Sequence, residues 1–367
     1  MTSPKGFLRA GSAEMAEARW EGGQWIIAET PVPDGLTDTD VAGLRDLRGI
    51  HIDWPSSAVP LDVILQLAAA GVPLHSETTP GWLTDDPLAA LVTDTRWLQP
   101  ETDSAGVSVT DLRREEHSVR LRRRGLLHDA NAVAVQSRPV SVVVASKRPW
   151  LAGATLEQIA RQRHVNLEVI FAAHGFPADV VRQAAADQGF PFPIQAVELT
   201  DETVFGDVLN EAVRRASGDY IAKWDDDDWY GPDYLSDLLL AKAYSGADLV
   251  GTSAEYFYLE PLNLTIRRAG HHSEIVSTHV AGGTILLERT GLASVGGFEP
   301  VPTAVDGKLL AAVDAAGGSI YRTHGLAFLA RRSPIEQHTW RSPLAAFVKA
   351  AANQWRGFRP TRILEGS

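Results

Sequence analysis

Residues 223–231 read KWDDDDWYG, four consecutive aspartates set between two tryptophans and a tyrosine. Carboxylates about 4 Å apart repel by roughly 4 kcal/mol at an effective dielectric near 20, so crowding them beside aromatic walls calls for a compensating cation. In extended geometry Asp225 and Asp227 fall on one side of the chain, roughly 7 Å apart. The chain has no cysteine, so any metal must be held by Asp, Glu or His, which favours a hard ion, Mg²⁺ or Mn²⁺. Such an ion keeps positions for water or substrate phosphates, and a phosphorylated ligand is therefore expected with it. The competing reading of an acidic run is a solvated surface loop. Its position argues against that: it follows an apolar strand directly and leads into WYGPDYLSDLLL, where Pro232 suits the first turn of a helix.

The elements that must position this run begin at Val140. VSVVVAS (140–146) is a nearly continuous β-branched segment, as expected of a strand buried on both faces. LEQIARQR then predicts a helix, LEVIFAAHG (167–175) a strand, PADVVRQAAADQG a helix, IQAVEL (194–199) a strand, VFGDVLNEAVRRASG a helix, and DYIAKW (219–224) the fourth strand. This is a doubly wound α/β layout, in which ligands bind beyond the carboxyl ends of the strands, and the aspartates lie just past such an end.

Before Val140 a smaller α/β region is expected. Residues 7–29 read as a hairpin turning at Gly22-Gly23, TDTDVAGLRDLRG as a short helix capped near Thr37 or Asp38, GIHIDW (49–54) as a strand, PLDVILQLAAAG (60–71) as a helix and VPLHSE (72–77) as a strand. That order implies a small parallel sheet with at least one crossover. DLRREEHSVRLRRRGLLHDA reads as a charged helix. The expected domains are residues 1–130, serving acceptor recognition or oligomerisation, a linker over 131–138, the main domain over 139–331, and a helical extension over 332–367.

Composition sets outer bounds. The 367 residues are 44% hydrophobic and 22% charged, the balance of a soluble globular protein, and the formal charge of −12 argues against general nucleic-acid binding. No apolar run is long enough to cross a bilayer, and the first residues lack a secretory pattern, so the expected location is the cytoplasm. The tail mixes Trp340, Phe347, Trp355 and Phe358 with basic residues, a pattern suited either to the inner membrane face or to a helix packed on its own domain.

The order of several features resembles the family 2 glycosyltransferases of GT-A fold, over about residues 139–331. They are PVSVVVASKRP, Asn210 in VLNEAVRRASGDYIA, KWDDDDWYGPDYL, GGTILLERTGLASVGGFE (282–299), and Asp306 leading DGKLLAAVDAAGG. The resemblance implies a mixed, mostly parallel sheet and a nucleotide-sugar donor. Asp225 and Asp227 would form a DxD pair, with Asp227 the direct metal ligand, Asp228 in support and Asp226 on the nucleotide side. Asp306 would be the general base for the acceptor hydroxyl, in competition with a simple helix-capping role. Backside attack would invert the anomeric centre. Ser146, Lys147 and Arg148 stand where the family has a threonine and an asparagine, and His174 where it has an acidic pair. These would meet the nucleotide, or be an ordinary loop. Arg331 and Arg332 would clamp diphosphate oxygens, and His338 would close the metal site.

The expected activity is thus inverting, metal-dependent glycosyl transfer to a glycan, a lipid-linked intermediate or a small hydroxylated metabolite, in cell-envelope or capsular polysaccharide synthesis. A sugar nucleotidyltransferase is the alternative enzyme, for which VVVASKRPW has the charge but not the glycines. A catalytically silent glycan-binding scaffold is the alternative outside enzymes.

Overall fold

The computed structural model describes residues 13–33, 35–268, 270, 272–334 and 342–366. His338 lies outside them. The chain forms two compact units, divided between Val133 and Ala134.

In the first unit β1 (Met15–Glu21) turns at Gly22-Gly23 into antiparallel β2 (Gln24–Ile27), with Glu21 opposite Gln24, and β3 (Thr30–Val32) continues the meander. β4 (Gly49–Asp53) and β5 (Leu74–His75) add in parallel, giving the order β3-β2-β1-β4-β5. The helix Asp38–Arg45 starts with a reciprocal capping box between Thr37 and Asp40, and Asp62–Ala69 forms the crossover between β4 and β5. Trp25, Ile50, Leu67 and Leu121 lie in its core.

The second unit contributes β6 (Val140–Ser146), β7 (Leu167–His174), β8 (Ile194–Leu199), β9 (Tyr220–Trp224), β10 (Trp229–Tyr230), β11 (Leu249–Thr252), β12 (Tyr256–Leu259), β13 (Leu264–Arg268), β14 (Ile275–Val276), β15 (Leu286–Glu288), β16 (Ile320–Thr323), β17 (Phe328–Arg332) and β18 (Ala351–Arg356). Eight of these form the main sheet, β14-β16-β11-β15-β9-β6-β7-β8, in which β9, β6, β7 and β8 run parallel and β15 runs against both its neighbours. The mixed, mostly parallel sheet expected from the sequence is thus present. β6 is central and fully enclosed at Val140, Val142, Val143 and Val144, which is why its sequence does not alternate. The other five strands form a second sheet, β10-β17-β12-β13-β18.

Two sequence expectations give way here. The segment read as a linker carries the helix Ala130–Gln136. The extension read as helical holds the short helix Leu344–Lys349, but its next segment is β18, hydrogen-bonded along β13. An open sheet edge at β13 offers unpaired backbone groups, and pairing them outweighs a weak helical preference.

The aspartate run connects the two sheets. β9 ends the main-sheet segment at Trp224, and β10 opens the second sheet at Trp229, paired antiparallel with β17.

Candidate active site

The helix Ala152–Ala160 holds the backbone of this connection. Thr155 Oγ1 donates to the carbonyl of Asp226 at 3.2 Å and Gln158 Nε2 to that of Asp228 at 2.9 Å, while Gln158 Oε1 accepts the Tyr230 N–H. Just past the helix, Gln162 Nε2 donates to the carbonyl of Gly231 at 2.8 Å. Thr155 and Gln158, three residues apart, share one face of that helix. Beneath the run Trp224 stacks on Tyr230 with centroids 3.8 Å apart, and Tyr234 and Phe328 complete the wall. Trp224 and Tyr230, on either side of the acids, are thus part of the floor that the loop rests on.

Each carboxylate meets a different neighbour. Asp226 is buried, accepts from Ser146 Oγ and is gripped by the Arg148 guanidinium through Nε and Nη2. Arg148 Nη1 also reaches Asp227 Oδ2 at 2.8 Å. Asp228 Oδ1 accepts the backbone N–H of Arg331 at 2.8 Å. Burial pushes the Asp228 carboxyl well above the usual range, assisted by the charges of Asp227 and Asp225. Asp225 Oδ1 accepts from Lys223 Nζ at 2.6 Å, and the same ammonium lies 3.3 Å from Asp306 Oδ1. Burial works against the Lys223 charge, but Asp225 and Asp306 outweigh it and hold the ammonium above its ordinary range. Burial likewise raises the Asp306 carboxyl, and Lys223 opposes that rise.

Asp306 is the second residue of the helix Val305–Ala315, behind Ala304. The capping position therefore belongs to Ala304, and Asp306 instead turns towards the lysine. Its approach needs Gly282, and that of Asp225 needs Gly283. A Cβ on Gly282 would stand 2.0 Å from Asp306 Oδ2, and one on Gly283 2.7 Å from Asp225 Oδ2. Neither carboxylate could keep its place beside a larger residue. Upstream of Asp306, Asn210 fastens the segment VGGFE: its Oδ1 accepts the Phe298 N–H at 2.9 Å and its Nδ2 donates to the Phe298 carbonyl at 2.7 Å.

Of the other sequence candidates, Ser146 and Arg148 join the cluster through Asp226. Lys147 turns instead to Asp201, with which it forms an ion pair. His174 is buried at the end of β7, its Nε2 3.2 Å from the carbonyl of Asp201, and burial together with Lys147 lowers its pKa. The Arg331 guanidinium makes a two-pronged pair with Glu260, at 3.0 and 2.9 Å, so its link to the tetrad runs through its backbone. Lys223, Thr155 and Gln158 were not singled out from sequence. A lysine inside an otherwise apolar strand, two residues ahead of Asp225, was the available signal for the first.

Among the described residues, no three acidic or histidine side chains converge into a ready-made metal cage. A hard divalent ion bridging substrate phosphates needs only one or two protein carboxylates. Asp225 and Asp227, partly exposed at 36% and 15%, offer such oxygens, so the donor set fits the ion.

Residues 142–286, from β6 to β15, match the model of glycosyl transferase family 2. Among solved structures, the mannosyltransferase PcManGT from Pyrobaculum calidifontis, in complex with GDP-Man and Mn²⁺, is 17% identical, with 56% of this chain and 59% of that chain covered and a TM-score of 0.45. TarS 1–349 from S. aureus, in complex with UDP-GlcNAc, is 15% identical, with 53% of this chain and 59% of that chain covered and a TM-score of 0.43. The chain thus spans about three fifths of the length of these two proteins. No curated protein matches it.

Proposed function

We propose that this protein is an inverting, metal-dependent glycosyltransferase that moves a sugar from a nucleotide-sugar donor to an acceptor hydroxyl. The observation that carries this reading is the meeting of the acidic run, which lies in the family 2 segment, with Asp306, which lies beyond it, across a single lysine, Lys223. Asp227 and Asp225 would hold the divalent ion, backed by Asp228. When bound, such an ion stabilises the negative charge that develops on the departing nucleoside diphosphate.

The protein's own groups do the rest. Asp306 accepts the proton of the acceptor hydroxyl as that oxygen attacks the anomeric carbon. Burial raises this carboxyl above its ordinary range, and Lys223 opposes that rise by favouring the charged form a base needs. One carboxylate base and one displacement give inversion. Arg148, locked to Asp226 and Asp227, offers a fixed cation beside the diphosphate position and keeps the tetrad's mutual repulsion in check. The setting we favour is synthesis of cell-envelope or capsular polysaccharide on the cytoplasmic face of the membrane.

Hydrolysis of UDP- and GDP-sugars in the presence of Mn²⁺ tests this. Turnover that stops on chelation and in Asp227→Ala is expected. Equal turnover with chelator would remove the metal from the scheme, and an enzyme inert on every nucleotide sugar while still binding glycans would favour a silent scaffold.

A further inference from the structure

The residue after the tetrad opens an aromatic surface with no role in the chemistry above. In the second sheet Trp229 pairs with Leu329, Arg331 with Tyr258, and Tyr258 with Thr265. Alternation along β17 then sets Trp229, Arg331, Tyr258 and Thr265 on one face. Phe358, just past β18, closes over it: its ring lies 4.8 Å from Trp229 and 5.5 Å from Tyr258, and the latter two are 6.0 Å apart.

Phe358 remains 40% exposed, yet the chain around it is firmly tied. The Gly357 N–H donates to the carbonyl of Asn263 at 2.8 Å, the Gly357 carbonyl accepts from Thr265 Oγ1 at 2.8 Å, and the Arg359 N–H donates to Thr265 Oγ1 at 2.9 Å. Hydrogen bonds on both sides thus hold an apolar ring partly in solvent, where the hydrophobic effect alone would not keep it. At the rim Arg331 lies over Trp229, 5.7 Å from its ring, with its guanidinium locked flat against Glu260. Immobile aromatic faces bordered by a planar, oriented polar pair match a sugar ring, which presents C–H groups on its face and hydroxyls at its edge. This surface is continuous with the candidate active site, because Trp229 follows Asp228 directly and Arg331 donates its N–H to Asp228.

We infer that Trp229, Tyr258 and Phe358 form an acceptor subsite for a pyranose ring, which makes the acceptor a saccharide. The inference rests on the glycosyltransferase reading and names the acceptor class for that site. Saturation-transfer NMR on the full chain, with methyl α-mannoside, cellobiose and N,N′-diacetylchitobiose as probes, tests it. Saturation should pass from aromatic protons to ring C–H protons of at least one probe. Phe358→Ala should weaken half-saturation ~10-fold, and Phe358→Tyr should restore it. Silence from all three probes, or an unchanged half-saturation in Phe358→Ala, would overturn the subsite. So would quenching of tryptophan emission by anionic phospholipid vesicles in place of saccharide binding. Thermal shifts with UDP and GDP separate the two levels: nucleotide binding without saccharide binding removes the subsite alone, and saccharide binding without nucleotide binding removes the donor reading.

Discussion

Asp306, half-buried, and His117, fully buried, are two titrating groups with opposite uses. Asp306 has the lysine that a base needs, and its replacement separates chemistry from binding. Asp306→Asn should keep nucleotide affinity, read by thermal shift, and lose transfer by about 10²- to 10⁴-fold. An unchanged transfer rate would mean that Asp306 is not the base. His117 has no such task. It lies buried in the first unit, stacked on Trp97 at 5.0 Å with Nε2 2.7 Å from the carbonyl of Leu74, and burial pulls its pKa from 6.5 down to about 4. The folded chain therefore keeps this ring neutral where the unfolded chain protonates it. Stability is full above pH 6.5 and declines as pH falls towards 4, by on the order of 3 kcal/mol from this group. Urea unfolding at pH 7 and pH 4.5 should show that loss, and His117→Gln should reduce it.

At the scale of elements, the site depends on side chains that fasten one backbone segment to another. Asn210 is the clearest, with both ends of its amide on Phe298 and with Gly297 in the left-handed region at φ 78° so that the chain can turn past it. Asn210→Ala leaves the Phe298 N–H and carbonyl without those partners and should cost about 2–3 kcal/mol in denaturant unfolding. Weaker transfer should accompany it, because the same segment leads to Asp306. The strands and helices from Val140 to Trp224 were legible because each keeps its period: the β-branched run of β6, the apolar stretch of β7, the helical spacing of VLNEAVRR. Ala130–Gln136 and β18 were not. The first is only two turns long and rich in small residues, which read equally well as a linker, and the second becomes a strand through the edge it meets rather than through its own composition.

At the scale of the molecule, the same division between local and long-range information explains the site. The tetrad and Asp306 could be found from the sequence because residue type and order carry them. Their partners could not: Arg148 lies 78 positions from Asp226, and Lys223 meets Asp306 only after β9 and the Gly282-Gly283 turn are brought together. Lys147 and Arg148 looked equivalent as adjacent cations in one loop, yet they point to Asp201 and to the tetrad respectively. Charge on neighbouring residues gives no direction until the loop is built.

Four aspartates separate Trp224 from Trp229, and that count is itself a constraint. Tyr230 is enclosed at 1% exposure while Trp229 faces outward, so one additional residue in the run would exchange them, sending a phenol hydroxyl to the surface and an indole into the aromatic floor. A glycine inserted after Asp226 should therefore lower the unfolding midpoint more than Asp226→Asn does, although the insertion removes no charge. The run works as a spacer of fixed length as much as a cluster of acids.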